Sequence, residues 1–191
     1  MKKGWVMITS TAEKATNSST IRGVGLLLRP KAHKALNLVE TINPRTLIAT
    51  FNGNPAVTVI LCYSHTNVSN VDDREEFYAE LSELTKAVPK HSVLLIGGDM
   101  NEKIGASDAK GSVYNKHTNE NGQLLLNYML ECNLIPLNTS FKKREGKLWT
   151  HTSPPGAKCQ IDYILINNKW KKQTFLREFC KETHSHLSYL S

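Results

Sequence analysis

The sequence predicts an α/β fold, because short β-rich apolar runs alternate with helical segments along a chain of 191 residues. The run from Val93 to Ile96 is apolar and bounded by glycine, which is typical of a core strand. A second run, from Ile161 to Ile166, is apolar or aromatic except for Asp162. Between such runs, apolar residues recur at helical spacing, as in helices that cover one face of a sheet.

Seven segments have the length and composition of strands. In chain order they are Val24 to Leu28, Leu47 to Phe51, Val57 to Tyr63, Val93 to Ile96, Leu134 to Asn138, Leu148 to Thr152 and Ile161 to Ile166. The sequence contains no internal repeat, low-complexity tract or convincing linker. We therefore expect a single domain over residues 1–191.

Two helices are predicted between the strands. Asp72 or Asp73 can cap the first helix, which ends at Pro89, and Asn121 can cap the second, which ends at Leu130. Each helix has an apolar stripe that predicts packing against the core. The stripes consist of Phe77, Leu81, Leu84 and Val88 in the first helix and of Leu124, Leu125, Tyr128 and Met129 in the second.

The charge of the chain favours a partner with a phosphate backbone. The sequence has 24 Lys and Arg residues against 17 acidic residues, a net charge of +7. Two basic clusters flank the predicted strands, although each can equally be a solvated loop. They are Lys142, Lys143, Arg144 and Lys147 in the first cluster and Lys169 to Lys172 in the second. The chain is 40% hydrophobic and has no apolar run long enough for a bilayer, so we expect no membrane contact.

The four cysteines lie far apart and form no Cys-x-x-Cys pair. This spacing indicates neither a zinc site nor a disulfide framework, and it fits a reducing compartment. The segment after Met1 is too polar for a signal peptide. We expect an intracellular protein, in the nucleus rather than the cytoplasm, and the sequence leaves the oligomeric state open.

Asp99 is the first candidate site residue. It follows Gly97 and Gly98 where the strand from Val93 should end, and Asn101 comes two positions later. Ligands of α/β sheets bind in the crevice beyond strand ends, and a period of two directs Asp99 and Asn101 to the same side. The same residue types also suit an ordinary turn, so Asp99 alone leaves both interpretations open.

Asp162 is the second candidate. Burying a carboxylate in an apolar strand costs several kcal/mol unless a cation or hydrogen bonds compensate. The alternative is an aspartate at a strand edge that faces solvent. Strand alternation puts Ile161 and Tyr163 on one face and Asp162 with Ile164 on the other. Two acids at strands of this kind favour a site over two unrelated turns.

Seven motifs stand in a fixed order along the chain. They are Arg22 to Leu28, Phe51 to Pro55, Cys62 to Asn67, Gly97 to Asn101, Asn121 to Leu125, Arg144 to Thr150, and Gln160 to Ile166 followed by Lys169 and Trp170. In these motifs and in their order along the chain, the sequence resembles the endonuclease/exonuclease/phosphatase superfamily. Within it, the chain is most similar to the endonuclease domain of non-LTR, LINE-type retrotransposons and to craniofacial development protein 2-like sequences.

The resemblance implies a deoxyribonuclease-like fold, a four-layer α/β sandwich of two packed mixed β-sheets flanked by helices. It implies hydrolysis of DNA phosphodiester bonds by an endonuclease of the kind encoded with a reverse transcriptase. Divalent metal assists such enzymes, and Mg²⁺ is the expected ion because the ligands are oxygens and water. DNA is then the expected partner.

The resemblance also implies roles for individual residues. Tyr63 matches the tyrosine that positions the scissile phosphate. Asp99 matches the acid that orients or deprotonates the attacking water, and Asn101 matches its partner that holds the phosphate. Asp162 matches a strand acid near the catalytic histidine and the metal. Thr150 lies where a DNA-contacting residue is found.

Both ends depart from the family pattern. Upstream of Gly23 the only acid is Glu13, at the wrong spacing for the metal-binding glutamate. Downstream of Asp162 there is no aspartate, so the closing Asp-His pair is unmatched, and the segment with His184 and His186 has no Asp before its histidines. We therefore expect an incomplete domain with weak or no nicking activity. A DNA- or chromatin-binding protein without activity and a small-molecule phosphatase are the alternatives.

Overall fold

The computed structural model describes residues 4–10, 13–14, 21–66, 69–109, 111–141, 145–154 and 156–172. In these ranges the chain is mixed α/β, with a six-stranded sheet flanked by helices, which confirms the predicted fold class. None of the described helices combines the length and the apolar composition that a bilayer-crossing helix needs.

The strands and helices follow each other in a mixed order. The strands are β1 (Val6–Thr9), β2 (Glu13–Lys14), β3 (Ile21–Arg22), β4 (Gly25–Leu28), β5 (Leu36–Asn43), β6 (Thr46–Phe51), β7 (Val57–Tyr63), β8 (Val93–Asp99), β9 (Leu134–Pro136), β10 (His151–Thr152), β11 (Lys158–Cys159) and β12 (Asp162–Asn167). The helices are α1 (Pro30–Ala35), α2 (Val71–Ala87) and α3 (Glu120–Glu131), with 3₁₀ turns at Glu145–Lys147 and Asn168–Trp170.

The central sheet has the strand order β5-β6-β7-β8-β12-β9. Only the β7-β8 pair is parallel within this sheet. A parallel pair requires a crossover connection, and α2 provides it. The other described strands pair as β1 with β4, β2 with β3, and β10 with β11. The described residues thus contain one large sheet and three two-stranded sheets, whereas the resemblance implied two large sheets.

The helices begin slightly before the predicted caps. Asn70 caps α2 and Asn119 caps α3, each through a side-chain oxygen that accepts a main-chain N–H of the first turn. The predicted caps were therefore wrong by two or three residues. Asp72 lies in the first turn of α2, where a negative charge is also favourable, and Asn121 is fully buried within α3.

The helices α2 and α3 cover one face of the central sheet and form the main core with it. The sheet contributes Ile60, Cys62, Ile96, Tyr163 and Leu165, α2 contributes Phe77, Tyr78 and Leu81, and α3 contributes Leu125, Tyr128 and Met129. Most of the predicted helical stripe residues thus lie in this core. A smaller apolar cluster of Val93, Leu95, Leu137 and Ile166 lies on the other face of the sheet.

Candidate active site

Three predicted site residues lie side by side at one end of the central sheet. Asp99, the last residue of β8, is the register partner of Tyr63 in β7 and of Asp162 in β12. Direct partners on adjacent strands lie about 5 Å apart and on the same face. The neighbouring row of Cys62 and Tyr163 faces the helices, so the Tyr63, Asp99 and Asp162 side chains share the opposite face.

Gly98 allows the close approach of β7 and β8 at this end. A Cβ atom at position 98 would lie 1.7 Å from the carbonyl oxygen of Cys62, so only glycine fits. The strand also continues to Asp99, three residues past the predicted end at Ile96. Asp99 is therefore held inside the sheet ladder rather than in the loop beyond it.

Asn101 lies two residues after the end of β8 in the left-handed region, with φ of 51°. Its main-chain N–H donates to Oδ1 of Asp99 at 2.8 Å, and its side-chain amide donates to the carbonyl oxygen of Ser64 at 3.0 Å. The expected strand alternation from Asp99 to Asn101 does not hold, because the chain turns between them. The turn after β8 is therefore part of the candidate site, because its Asn101 N–H fixes the Asp99 carboxylate.

Thr150 fixes the start of β12. Its hydroxyl oxygen accepts the main-chain N–H groups of Ile161 at 3.1 Å and of Asp162 at 3.2 Å. Thr150 immediately precedes the β10-β11 hairpin, whose residue His151 lies close enough to influence both aspartates. The predicted contact of Thr150 with DNA stays a prediction, whereas its contacts within the chain position Asp162.

The two aspartates are half-buried, and burial raises the pKa of both. The pKa of Asp162 rises to about 6, because burial and the negative charge of Asp99 outweigh the Thr150 hydroxyl and His151, which lower it. Burial also raises the pKa of Asp99, and this effect outweighs the N–H of Asn101 and His151, which lower it.

The side chains at this edge supply only part of the ligand set of a hard divalent cation. Asp99 and Asp162 carry carboxylate oxygens on adjacent strands, and oxygens are the ligands that Mg²⁺ prefers. In the described parts of the chain, no group of three His, Cys, Asp or Glu side chains could hold a metal. The two aspartates are thus the residues that would hold a cation, and the remaining ligands would be water and substrate oxygens.

Glu102 is a buried acid beneath this site that the sequence did not reveal. Its Oε1 accepts hydrogen bonds from the Ser64 hydroxyl at 3.3 Å and from the Tyr78 hydroxyl at 3.1 Å. Burial raises the pKa of Glu102 to about 8, although these hydrogen bonds and Arg74 lower it. A Glu followed by Lys103 looks like an exposed loop in sequence, so no local signal distinguished it.

The structure describes one residue of the first basic cluster and all of the second. Lys147 is exposed, whereas Lys142, Lys143 and Arg144 fall outside the described residues. The second cluster, Lys169 to Lys172, follows the end of β12 that is remote from Asp162, about 17 Å along the strand. The second cluster therefore flanks β12 at the end away from Asp162.

A different basic group lies near the site instead. The ammonium group of Lys158 on β11 is 4.5 Å from the centroid of the Trp149 ring. Trp149 directly precedes Thr150, so this cation-π pair lies on the hairpin next to Asp162.

Sequence comparison finds a relative over most of the chain, and no protein-family profile matches. Craniofacial development protein 2 of Bos taurus is 32% identical over 154 residues, which cover 78% of this chain and 26% of that protein. The chain therefore spans about a quarter of the length of this curated relative. The similarity agrees with the craniofacial development protein 2-like resemblance of the motifs.

Structure comparison finds nucleic acid enzymes. The 3' phosphatase NExo from Neisseria, bound to a product DNA hairpin, superposes with a TM-score of 0.63 at 18% identity, over 88% of this chain and 68% of NExo. An AP endonuclease from Archaeoglobus fulgidus gives a TM-score of 0.63 at 16% identity, over 88% of this chain and 69% of that enzyme. The chain therefore has the deoxyribonuclease I-like fold of these proteins and is similar in sequence to part of craniofacial development protein 2.

Proposed function

We propose that this chain hydrolyses phosphodiester bonds of DNA as an endonuclease that uses a divalent cation. The observation that carries the proposal is the row of Tyr63, Asp99 and Asp162 on three adjacent strands, with Asn101 bonded to Asp99. The net charge of +7 and the lysine on the β10-β11 hairpin suit a polyanionic substrate. Two proteins of the same fold are a 3' phosphatase and an AP endonuclease, which supports a DNA-processing hydrolase.

The residues of this row would divide the work of hydrolysis between them. Asp99, fixed by the N–H of Asn101, would orient the attacking water and accept its proton, which its raised pKa favours. The Tyr63 hydroxyl and the Asn101 amide would hold the scissile phosphate. The bond between phosphorus and the 3'-oxygen breaks as water attacks, and the leaving 3'-oxygen takes a proton from solvent. A bound divalent cation, Mg²⁺ by the donor chemistry, would offset the charge that develops on the phosphate and on this oxygen.

A plasmid nicking assay tests this proposal. Supercoiled plasmid is incubated with the purified chain in Mg²⁺, with and without a chelator. We expect slow, chelator-sensitive nicking that falls by about 100-fold or more in Asp99→Asn and in Asp162→Asn. Glu75→Gln, which changes an exposed acid on α2, is the matched control and should keep the parent rate. Full nicking by Asp99→Asn would contradict the proposed site.

A DNA-binding protein without hydrolytic activity is the second candidate. It is favoured because, in the described part of the chain, no third metal-ligating side chain joins Asp99 and Asp162. Binding of a labelled duplex that falls steeply with salt, together with intact plasmid in Mg²⁺, would select this candidate. Release of inorganic phosphate from soluble phosphate esters would instead indicate a small-molecule phosphatase.

The motif order supports a further proposal on origin. We infer that the chain derives from the endonuclease region of a non-LTR retrotransposon and that its activity is weak. A reverse transcriptase reading frame beside the gene would support this origin. A nuclear signal from a tagged chain in intact cells would support the expected nuclear localisation, and a purely cytoplasmic signal would contradict it.

A further inference from the structure

Arg45 lies in the same row as the candidate site residues, one strand beyond Tyr63. The β6-β7 register pairs Thr46 with Cys62, and the main-chain N–H of Tyr63 donates to the carbonyl oxygen of Arg45 at 2.9 Å. This bond continues the antiparallel register by one position, so Arg45, in the turn before β6, is the register partner of Tyr63. The row across four chain segments is therefore Arg45, Tyr63, Asp99 and Asp162.

The guanidinium group of Arg45 contacts both the ring and the main chain at Tyr63. Its central carbon, Cζ, lies 5.3 Å from the centroid of the Tyr63 ring, within the range of a cation-π interaction. Its Nη1 donates to the carbonyl oxygens of Tyr63 at 3.1 Å and Ser64 at 3.2 Å. One planar group thus restrains the ring and the turn that follows it.

The same turn is bound from the other side by the candidate site. The carbonyl oxygen of Ser64 accepts Nη1 of Arg45 and also the side-chain amide of Asn101. The N–H of Ser64 donates to the carbonyl oxygen of Asp99 at 2.9 Å. A shift of Arg45 would therefore move the residues around Tyr63 without any direct contact with the aspartates.

The surroundings of Arg45 disfavour a direct contact with a phosphate. A cleft of about 350 Å³ beside it is lined by Asn43, His65 and Phe77 and by three acids. The acids are Asp73, Glu76 and Glu80. Negative side chains repel a phosphate group, so Arg45 is better placed to act through Tyr63 than to bind the substrate.

We propose that Arg45 is a positioning residue that holds the Tyr63 ring and the Tyr63-Ser64 turn in the geometry the candidate active site needs. Its effect on catalysis rests on the proposed hydrolase function, whereas its effect on the Tyr63 ring does not. Two measurements therefore separate the failure of this inference from the failure of the proposed function.

The first measurement follows the ring without any activity. The chain is labelled with 3-fluorotyrosine, and Tyr63→Phe identifies one of the six tyrosine ¹⁹F resonances. Arg45→Ala should shift and sharpen this resonance and leave the remote tyrosine signals in place. Arg29→Ala is the matched control, because it removes a similar cation-π contact, 5.7 Å from the Trp5 ring, away from the site. An unchanged Tyr63 resonance in Arg45→Ala overturns the proposal.

The second measurement is a double-mutant cycle on DNA hydrolysis. Arg45→Ala should lower kcat by about 10- to 100-fold, the range expected for a misplaced group, with KM changed by about twofold or less. The Arg45→Ala, Tyr63→Phe double variant should be no slower than Tyr63→Phe alone, because both changes remove the same function. Additive losses, or a loss confined to KM, would overturn the positioning role.

Arg45→Lys keeps the inference testable if Arg45→Ala does not fold. Lysine keeps the charge but lacks the planar guanidinium group that lies over the Tyr63 ring, so we expect partial rescue, with kcat down by about tenfold. If the parent does not cleave DNA but Arg45→Ala alters the Tyr63 resonance, the inference is supported and the proposed function is rejected. If the parent cleaves DNA but the Tyr63 resonance is unaltered in Arg45→Lys and Arg45→Ala, the inference is rejected and the proposed function is supported.

Discussion

Replacing Glu102 by glutamine should remove a large pH dependence from the stability of this chain. Glu102 is fully buried, and its Oε2 has no hydrogen-bond partner. Burial raises the pKa of this side chain from 4.5 to about 8. Glutamine has the same shape, and its amide oxygen can accept the bonds from Ser64 and Tyr78. The substitution therefore removes the titration while it keeps most of the packing.

The magnitude follows from linkage between proton binding and folding. The folded chain holds the Glu102 proton up to about pH 8, whereas the unfolded chain releases it near pH 4.5. The stabilisation is fully present below pH 4.5 and is lost as the pH rises through about 8. At about 1.4 kcal/mol per pH unit, the loss over this window is at most about 5 kcal/mol.

Urea unfolding of the parent and of Glu102→Gln, between about pH 5 and pH 8.5, measures this effect. At low pH the two chains should differ by about 1 kcal/mol, the net value of a hydrogen bond. As the pH rises, the parent should lose about 3 to 5 kcal/mol relative to the variant. Asp99 and Asp162 titrate in both chains, so their contributions largely cancel in the difference.

The control for this experiment is Glu75→Gln, which changes an exposed acid on α2. Its free energy of unfolding should follow that of the parent at every pH. A difference between the parent and Glu102→Gln that stays constant across the window would refute the assignment of Glu102 as a buried, protonated acid.

Three further predictions concern the site. Gly98→Ala should cost about 3 kcal/mol or more in thermal denaturation, because its Cβ would overlap the carbonyl oxygen of Cys62, whereas Gly146→Ala meets no atom within 4 Å and should be nearly neutral. Thr150→Val should cost about 1 to 2 kcal/mol in urea unfolding, because two main-chain N–H groups lose their acceptor. In the parent, the nicking rate should decrease at pH values below about 6, because Asp162 gains its proton there. Thr150→Val removes a hydrogen bond that lowers the pKa of Asp162, so the decrease should begin at higher pH. A nicking rate that does not change with pH would contradict a required carboxylate.

Local patterns were sufficient for the elements that face the core. The alternation that separates Tyr163 from Asp162 and the stripe around Phe77 follow from the periods of strands and helices. The strand at Val57–Tyr63 ends where the sequence indicates. In contrast, α1 and β5 were missed, since the half-exposed β5 has no regular alternation of apolar residues. Such elements are fixed by pairing with β6 rather than by their own composition.

The candidate site was only partly predictable for a related reason. Sequence reasoning expected Asp99 and Asp162 at neighbouring strand ends beside Tyr63, and the register of the three strands agrees with this. It gave no sign that Arg45 completes their row or that Glu102 lies buried below it. The place of Arg45 depends on strand pairing and register, and the burial of Glu102 depends on its contacts with Ser64 and Tyr78. Neither feature leaves a pattern among adjacent residues.

The sequence by itself determined the α/β class, the apolar faces of α2 and α3 and the net positive charge. It also indicated Asp99 and Asp162, whereas Tyr63 came from the family resemblance. Those features depend on side-chain chemistry and on periods of a few residues. Only the tertiary structure decided that Asp99 is paired with both Tyr63 and Asp162, and that the cluster from Lys169 lies at the far end of β12. The physical reason is that strand pairing and burial join residues distant in sequence, and these contacts set both the distances and the pKa values of the site.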